Sequence, residues 1–255
     1  MHSDSALSTG SSTIAVEADR VLREFGLLEN PYLRALEDGT LALDGFRRTQ
    51  EQFYFAVLHF ARPMAALLSR IPDPSRRVDI LHNLLEEHGE LDPARFHEAT
   101  FRVFLRSIGA SDDPRVQCAP GPEVEAFNRI LDGACVAGDV VEAVACIGMI
   151  EYAFADISAT IARSVVARGW LREEALAHYG LHAEIDKRHA SELFLVVEDE
   201  WRHPDRSARV LRGLRLGAYA FERLYRDLLR SITASEDPPS PGCGPGTLSV
   251  EWRPC

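Results

Sequence analysis

The residues in this sequence best equipped for chemistry lie in the stretch His182-x-x-x-Asp186-x-x-His189. At about 100° per residue, the three side chains fall within roughly 60° of one another on a helix. They share that face with Leu171, Ala175, Ile185, Leu193 and Val196, so two imidazoles and a carboxylate converge where core residues belong. Metals that accept mixed nitrogen and oxygen ligands, such as iron, suit this set. The plainer reading is a solvated face or a His–Asp hydrogen bond, and the apolar stripe argues against a solvated face.

Glu151 is the second such residue. The segment 143–155 is apolar apart from Glu151 and the amphipathic Tyr152. An ionised carboxylate inside a helical bundle costs several kcal/mol unless a cation or good donors compensate it. A protonated or Arg-paired core Glu is the alternative. His97 follows, on a stripe with Phe101, Phe104 and Ile108; alone it reads equally as a satisfied core histidine. In Asn83-Leu84-Leu85-Glu86-Glu87-His88-Gly89-Glu90, Glu87 borders the apolar side beside Ile80 and Asn83, although periodicity places His88 nearer the apolar centre. Glu90 lies past Gly89, beyond reliable helical phase, and is the fallback for Glu87. Asp79, His82 and Glu86 share a polar face and read as solvated. Glu200-Trp201-Arg202-His203 is a formal E-x-x-H, but Pro204 follows it and it has no second copy, whereas ferritin-like diiron sites need two. His178 sits one turn before His182, as a core residue or a support for a ligand.

These residues need helices to position them. Helical periodicity dominates, with helices expected near 14–26, 44–69, 74–88, 93–109, 122–136, 139–168, 171–200 and 205–232. Pro-containing breaks at Asn30-Pro31, Pro72-Asp73-Pro74, Asp112-Asp113-Pro114 and Pro120-Gly121-Pro122 punctuate them. No stretch alternates like a strand, so the expected class is all-α around one bundle core. Residues 1–12 and 235–255 read as mobile tails, the second because of its Pro and Gly content. The 255 residues carry a net charge of −11, which speaks against nucleic acid or an anionic membrane as partner. No apolar run reaches the roughly 20 residues a membrane span needs, and no secretory signal is visible. The five cysteines at 118, 135, 146, 243 and 255 form no C-x-x-C pair, which argues against thiolate zinc or a disulfide framework and for a reducing cytoplasm.

Taken together, the residues resemble the haem-oxygenase-like diiron oxidases and oxygenases, whose fold is shared with haem oxygenase and the TenA and PqqC proteins. The resemblance rests on Asn83-Leu84-Leu85-Glu86-Glu87-His88-Gly89, then His97, then Glu151, then His182, Asp186 and His189, and it spans roughly residues 20–230. It implies a haem-oxygenase-like bundle of about seven or eight helices over residues 13–234. It implies Glu87, His97, Glu151, His182, Asp186 and His189 as ligands to two ferrous ions, with no catalytic residue beyond them. It also implies dioxygen bound between the irons as a peroxo species, and an external electron donor or reductase. The expected substrate is a small nitrogen-containing metabolite, N-oxygenated in natural-product biosynthesis, with oxidative C–C cleavage or decarboxylation of an amino or fatty acid as the alternative. Arg62, Arg163 and Tyr152 are candidate substrate anchors. Small residues around Glu151 (Ala143, Ala145, Gly148, Ala153, Ala155) are expected to leave room for a pocket closed by Met149, Phe154 and Phe101. A homodimer is the candidate assembly. Two readings from other classes stand beside this one: a TenA-like hydrolase using Cys135 or Cys146 as nucleophile, and a non-catalytic metal-binding helical protein.

Overall fold

The computed structural model describes residues 13–176 and 178–233, apart from the side chain of residue 184. Both expected tails, and Cys243 and Cys255 with them, lie outside the described residues. Among these residues the chain is helical and forms no strand, as the sequence led us to expect. The helices are α1 (Ile14–Phe25), α2 (Pro31–Glu37), α3 (Leu43–Arg70), α4 (Pro74–Glu87), α5 (His97–Ser107), α6 (Pro114–Gln117), α7 (Pro122–Asp132), α8 (Val140–Ala167), α9 (Tyr179–Val196), α10 (Glu198–Arg202) and α11 (Ser207–Thr233).

Several of the breaks read from proline are also helix starts. Pro31, Pro74, Pro114 and Pro122 occupy the first turn of their helices, where a missing N–H costs nothing and the fixed φ suits the helix. Asn30, Asp73 and Asp139 cap α2, α4 and α8 by accepting hydrogen bonds from Tyr32 N, Ser75 N and Val141 N. The short α2 and α6 are therefore helices where the sequence reading saw only punctuation.

Helix α8 is the axis of the bundle. Its side chains are buried on nearly every side from Ala143 to Val165, as its almost continuous apolar sequence requires. It packs chiefly against α9 and α11. The α8–α9 contact is close because Gly148 faces Phe194; a Cβ at Gly148 would lie 2.8 Å from that ring. The expected helix over 171–200 is shorter and divided. A 3-10 turn at Glu173–Ala175 precedes α9, and the chain breaks at Val197 before α10. The expected helix from 93 begins instead at His97, behind a turn at Pro93–Arg95. No helix among the described residues is long and apolar enough to cross a membrane.

Candidate metal centre and its pocket

Four helices deliver the six expected ligands to one place. Glu87 is the last residue of α4 and His97 the first of α5. The chain between them reverses through Gly89, Glu90 and Leu91, all at positive φ (55°, 55° and 68°). Gly89 is required there, since a Cβ would lie 2.5 Å from the backbone of Arg95. The reversal brings the Glu87 carboxylate to 2.8 Å from His97 Nδ1. Glu151 comes from the middle of α8; His182, Asp186 and His189 come from one face of α9. All six are buried, with exposures of 8, 4, 3, 4, 0 and 0 % in chain order. Single ligand atoms of Glu151, Asp186 and His189 lie within 4.8 Å of one another. The rings of His97 and His182 are 4.4 Å apart.

Burial disfavours every charged form in this cluster, and the partners decide which groups stay charged. Burial raises the Glu151 carboxyl, and the neighbouring Asp186 raises it further. Burial likewise holds Asp186 well above the usual carboxylate range. Burial opposes ionisation of Glu87, but the His97 beside it outweighs that and lowers its pKa. Burial pushes His182 down to about 3. It also opposes the charged form of His189, yet the Glu151 and Glu86 carboxylates carry that imidazole up to about 10. Three carboxylates thus crowd a dry volume with incomplete compensation.

The ring nitrogens show what would complete the cluster. His182 Nδ1 lies 2.8 Å from Asp186 Oδ1, which leaves its Nε2 buried without a partner. His189 Nε2 donates to Glu86; its Nδ1 is buried and unpartnered, 3.8 Å from Glu151 and 3.7 Å from Asp186. His97 Nδ1, though close to Glu87, is not aligned for a hydrogen bond and also lacks a partner. Buried polar atoms are almost always paired. Among the described residues, three imidazole nitrogens without a hydrogen-bond partner face three buried carboxylates, which fits a cation of imidazole- and carboxylate-binding character, such as iron.

Two supporting residues escaped the sequence reading. Glu86, read there as solvated surface, is only half-buried, but it accepts from His189 Nε2 and from Arg188 Nη2 at 2.7 Å. Asn83 is fully buried and donates to Glu151 Oε1 at 3.3 Å. The adjacent Arg188 was the available signal for Glu86, since it places a cation beside His189 on α9. Of the remaining candidates, Glu90 is exposed, near His82 and Glu86 at the surface. His88 turns outward and bonds Leu84 O at 2.7 Å. Glu200 is taken by Arg209 at 2.6 Å.

A pocket abuts the cluster. Glu87, His97, Glu151, His178 and His182 form one wall, and Phe53, Phe60, Phe127, Phe154 and Phe221 form much of the rest. This corrects the expected pocket. Phe154 lines it, but Met149 and Phe101 do not. The small residues do not enlarge it either: Gly148 is filled by Phe194, and Ala145 packs against Gly213 of α11. None of the expected anchors reaches it. Arg62 is exposed, Arg163 bonds Thr160, and the Tyr152 hydroxyl donates to Asp19 at 2.7 Å. The cysteine candidates are absent from the lining as well. Burial pushes the Cys135 thiol up to about 12 and the Cys146 thiol still higher, the opposite of what a nucleophile needs.

The profile of a family described as iron-containing redox enzymes matches residues 47–222. The chain is similar to a 4-aminobenzoate synthase of Nitrosomonas europaea, at 24% identity over 216 residues, covering 80% of this chain and 86% of that one. In fold it is similar to a domain of unknown function with a heme oxygenase-like fold from Shewanella denitrificans, with a TM-score of 0.71, 16% identity, and coverage of 87% and 93%. A TenA homologue from P. horikoshii superposes with a TM-score of 0.67 at 13% identity, covering 86% of this chain and 99% of that one.

Proposed function

This chain belongs to the family of iron-containing redox enzymes, and on that premise we propose that it is a dioxygen-dependent oxygenase with two iron ions. The ligands in this reading are Glu87, His97, Glu151, His182, Asp186 and His189. The observation that carries it is the buried, incompletely compensated set of carboxylates and orphaned ring nitrogens on the wall of an aromatic pocket. When bound, two ferrous ions supply two electrons and the place where dioxygen is reduced. The substrate is a small nitrogen-bearing compound and the favoured reaction is oxygen transfer to nitrogen. For an amine the balance is RNH2 + O2 + 2 electrons + 2 protons giving RNHOH + H2O, and an external donor restores the electrons. The Nitrosomonas relative is named for forming 4-aminobenzoate, a compact aromatic amine, which supports a small nitrogen-bearing compound in a pocket of this kind.

The chain's own residues do the rest. Glu86 takes the Nε2–H of His189 and so turns Nδ1 inward, which also raises the basicity of that nitrogen. Asn83 holds one oxygen of Glu151 and thereby orients the other. The phenylalanine wall excludes water from the reacting volume, where charge–charge and hydrogen-bond interactions act at low dielectric. An amine reacts neutral, since a protonated nitrogen has no lone pair to offer an electrophilic oxygen.

The test is oxygen uptake by ferrous-loaded protein with a panel of arylamines, amino acids and medium-chain fatty acids. The expected result is iron-dependent uptake with a nitrogen compound and a product gaining oxygen at nitrogen. Uptake with fatty acids alone, releasing carbon dioxide and an alkene, would overturn it, and so would the absence of iron-dependent uptake with the whole panel.

A further inference from the structure

His178 is a buried histidine that the six-ligand set leaves unused. It stands immediately before α9, is 1 % exposed, and lines the aromatic pocket beside His182. Its Nδ1 lies 3.2 Å from Thr100 Oγ1. The Thr100 hydroxyl donates its proton to His97 O at 3.0 Å. A hydroxyl has one proton, so toward His178 the Thr100 oxygen acts as acceptor and Nδ1 carries the imidazole hydrogen. In a neutral imidazole the other nitrogen is then a bare acceptor. That atom, Nε2, is buried and has no hydrogen-bond partner among the described residues. The ring cannot easily turn away to find one. It is packed edge-on against Phe101, with ring centres 4.8 Å apart, and tilted against His182 at 4.2 Å.

We propose that His178 Nε2 accepts a hydrogen bond from the substrate and so orients a neutral aromatic amine in the pocket. The phenylalanine walls supply the surface for a planar ring. Among the lining residues, His178 is the one that offers a fixed acceptor outside the candidate metal ligands. The lining contains no Arg or Lys to hold a carboxylate away from the metal centre. An N–H bonded to His178 places the nitrogen next to His182, at the face where the ligands converge. His178 is thus a substrate-binding residue, and Thr100 is the positioning residue that sets its tautomer. This deepens the reading given above and rests on it for identifying the pocket as the substrate site.

The experiment compares two probes of nearly equal shape, 4-fluoroaniline and 4-fluorotoluene, titrated by fluorine NMR into the full iron-loaded chain without oxygen. Wild-type protein should bind the aniline at least about tenfold more tightly, because the toluene leaves a buried acceptor unmatched. His178→Phe should bring the two affinities to within about twofold while iron per chain stays at the wild-type value. His178→Gln, which still presents a side-chain carbonyl, should keep part of the preference. Equal affinities in the wild type overturn the proposal, as does failure of the aniline to bind. A preference that survives His178→Phe also overturns it. Iron loss in both variants assigns His178 to the metal instead. The outcome is separable from oxygen uptake: donor preference without uptake removes only the oxygenase reading, and uptake without donor preference removes only this inference.

Discussion

Glu86 stands outside the six candidate ligands, yet it decides which nitrogen of His189 faces inward. Carboxylates in this position fix a ligand's tautomer and raise its basicity, and their loss typically weakens metal binding 10–100-fold. Glu86→Gln should therefore lower ferrous affinity by roughly that factor with little change in helicity, measured by anaerobic iron titration and far-ultraviolet circular dichroism. An affinity equal to wild type would show that His189 needs no such support. The same titration has a pH dependence with a definite sign. In the metal-free chain His189 is carried from its ordinary 6.5 up to about 10. Its pairing with Glu151 and Glu86 thus stabilises the empty fold fully below about 6.5 and is lost as pH rises through about 10. Between these limits an incoming ion must displace that proton. Apparent ferrous affinity should accordingly rise from pH 6 to pH 8, with proton release detectable by calorimetry in buffers of different ionisation enthalpy.

At the scale of the elements, Gly148 sets how near α8 comes to α9. Glu151 lies one turn further along α8, so the same close approach places it near Asp186 and His189. Gly148→Val should push Phe194 aside, destabilise the fold by about 1–3 kcal/mol and reduce iron per chain, read by urea denaturation and metal analysis. Lowered stability with full iron content would mean that the ligands adapt and the approach distance is not critical. The α9 triplet was legible in the sequence because its period is internal to one helix, and Glu151 because it interrupts an apolar run. The roles of Glu86 and Asn83 were not, since they depend on how α4 lies against α8 and α9. The turn before α9 was missed for a different reason. Glu173, Glu174 and Ala175 are good helix formers, but the chain bends there and sets His178 just outside the helix. The expected anchors failed because periodicity assigns a face to a residue but not the neighbour that face meets, as with Tyr152 and Asp19.

For the whole molecule, a bound ion would tie together helices that are distant in sequence. Glu87 and His97 belong to one pair of helices and Glu151, Asp186 and His189 to another. A ligand that binds only the folded state stabilises it by about 2.7 kcal/mol at a hundredfold excess over its dissociation constant. For a chain of this size that corresponds to a rise in melting temperature of roughly 5–10 °C. Anaerobic melting should show such a rise with ferrous iron, its reversal by chelator, and its loss in Asp186→Ala. An unchanged melting temperature under saturating iron would mean that the buried cluster is complete without metal.

The chain contains a single lysine, Lys187, next in sequence to Asp186. Its side chain is 63% exposed and leans toward Asp156 at 3.5 Å, while its neighbour on α9 is fully buried. One ε-amine means one address for amine-directed labelling besides the N-terminus, and that address lies on the outer face of the helix that carries half of the candidate ligands. A fluorophore attached there is held close to whatever enters the cluster. Paramagnetic iron quenches emission at short range, so the dye becomes an optical gauge of loading that needs no tag and no substitution elsewhere in the chain.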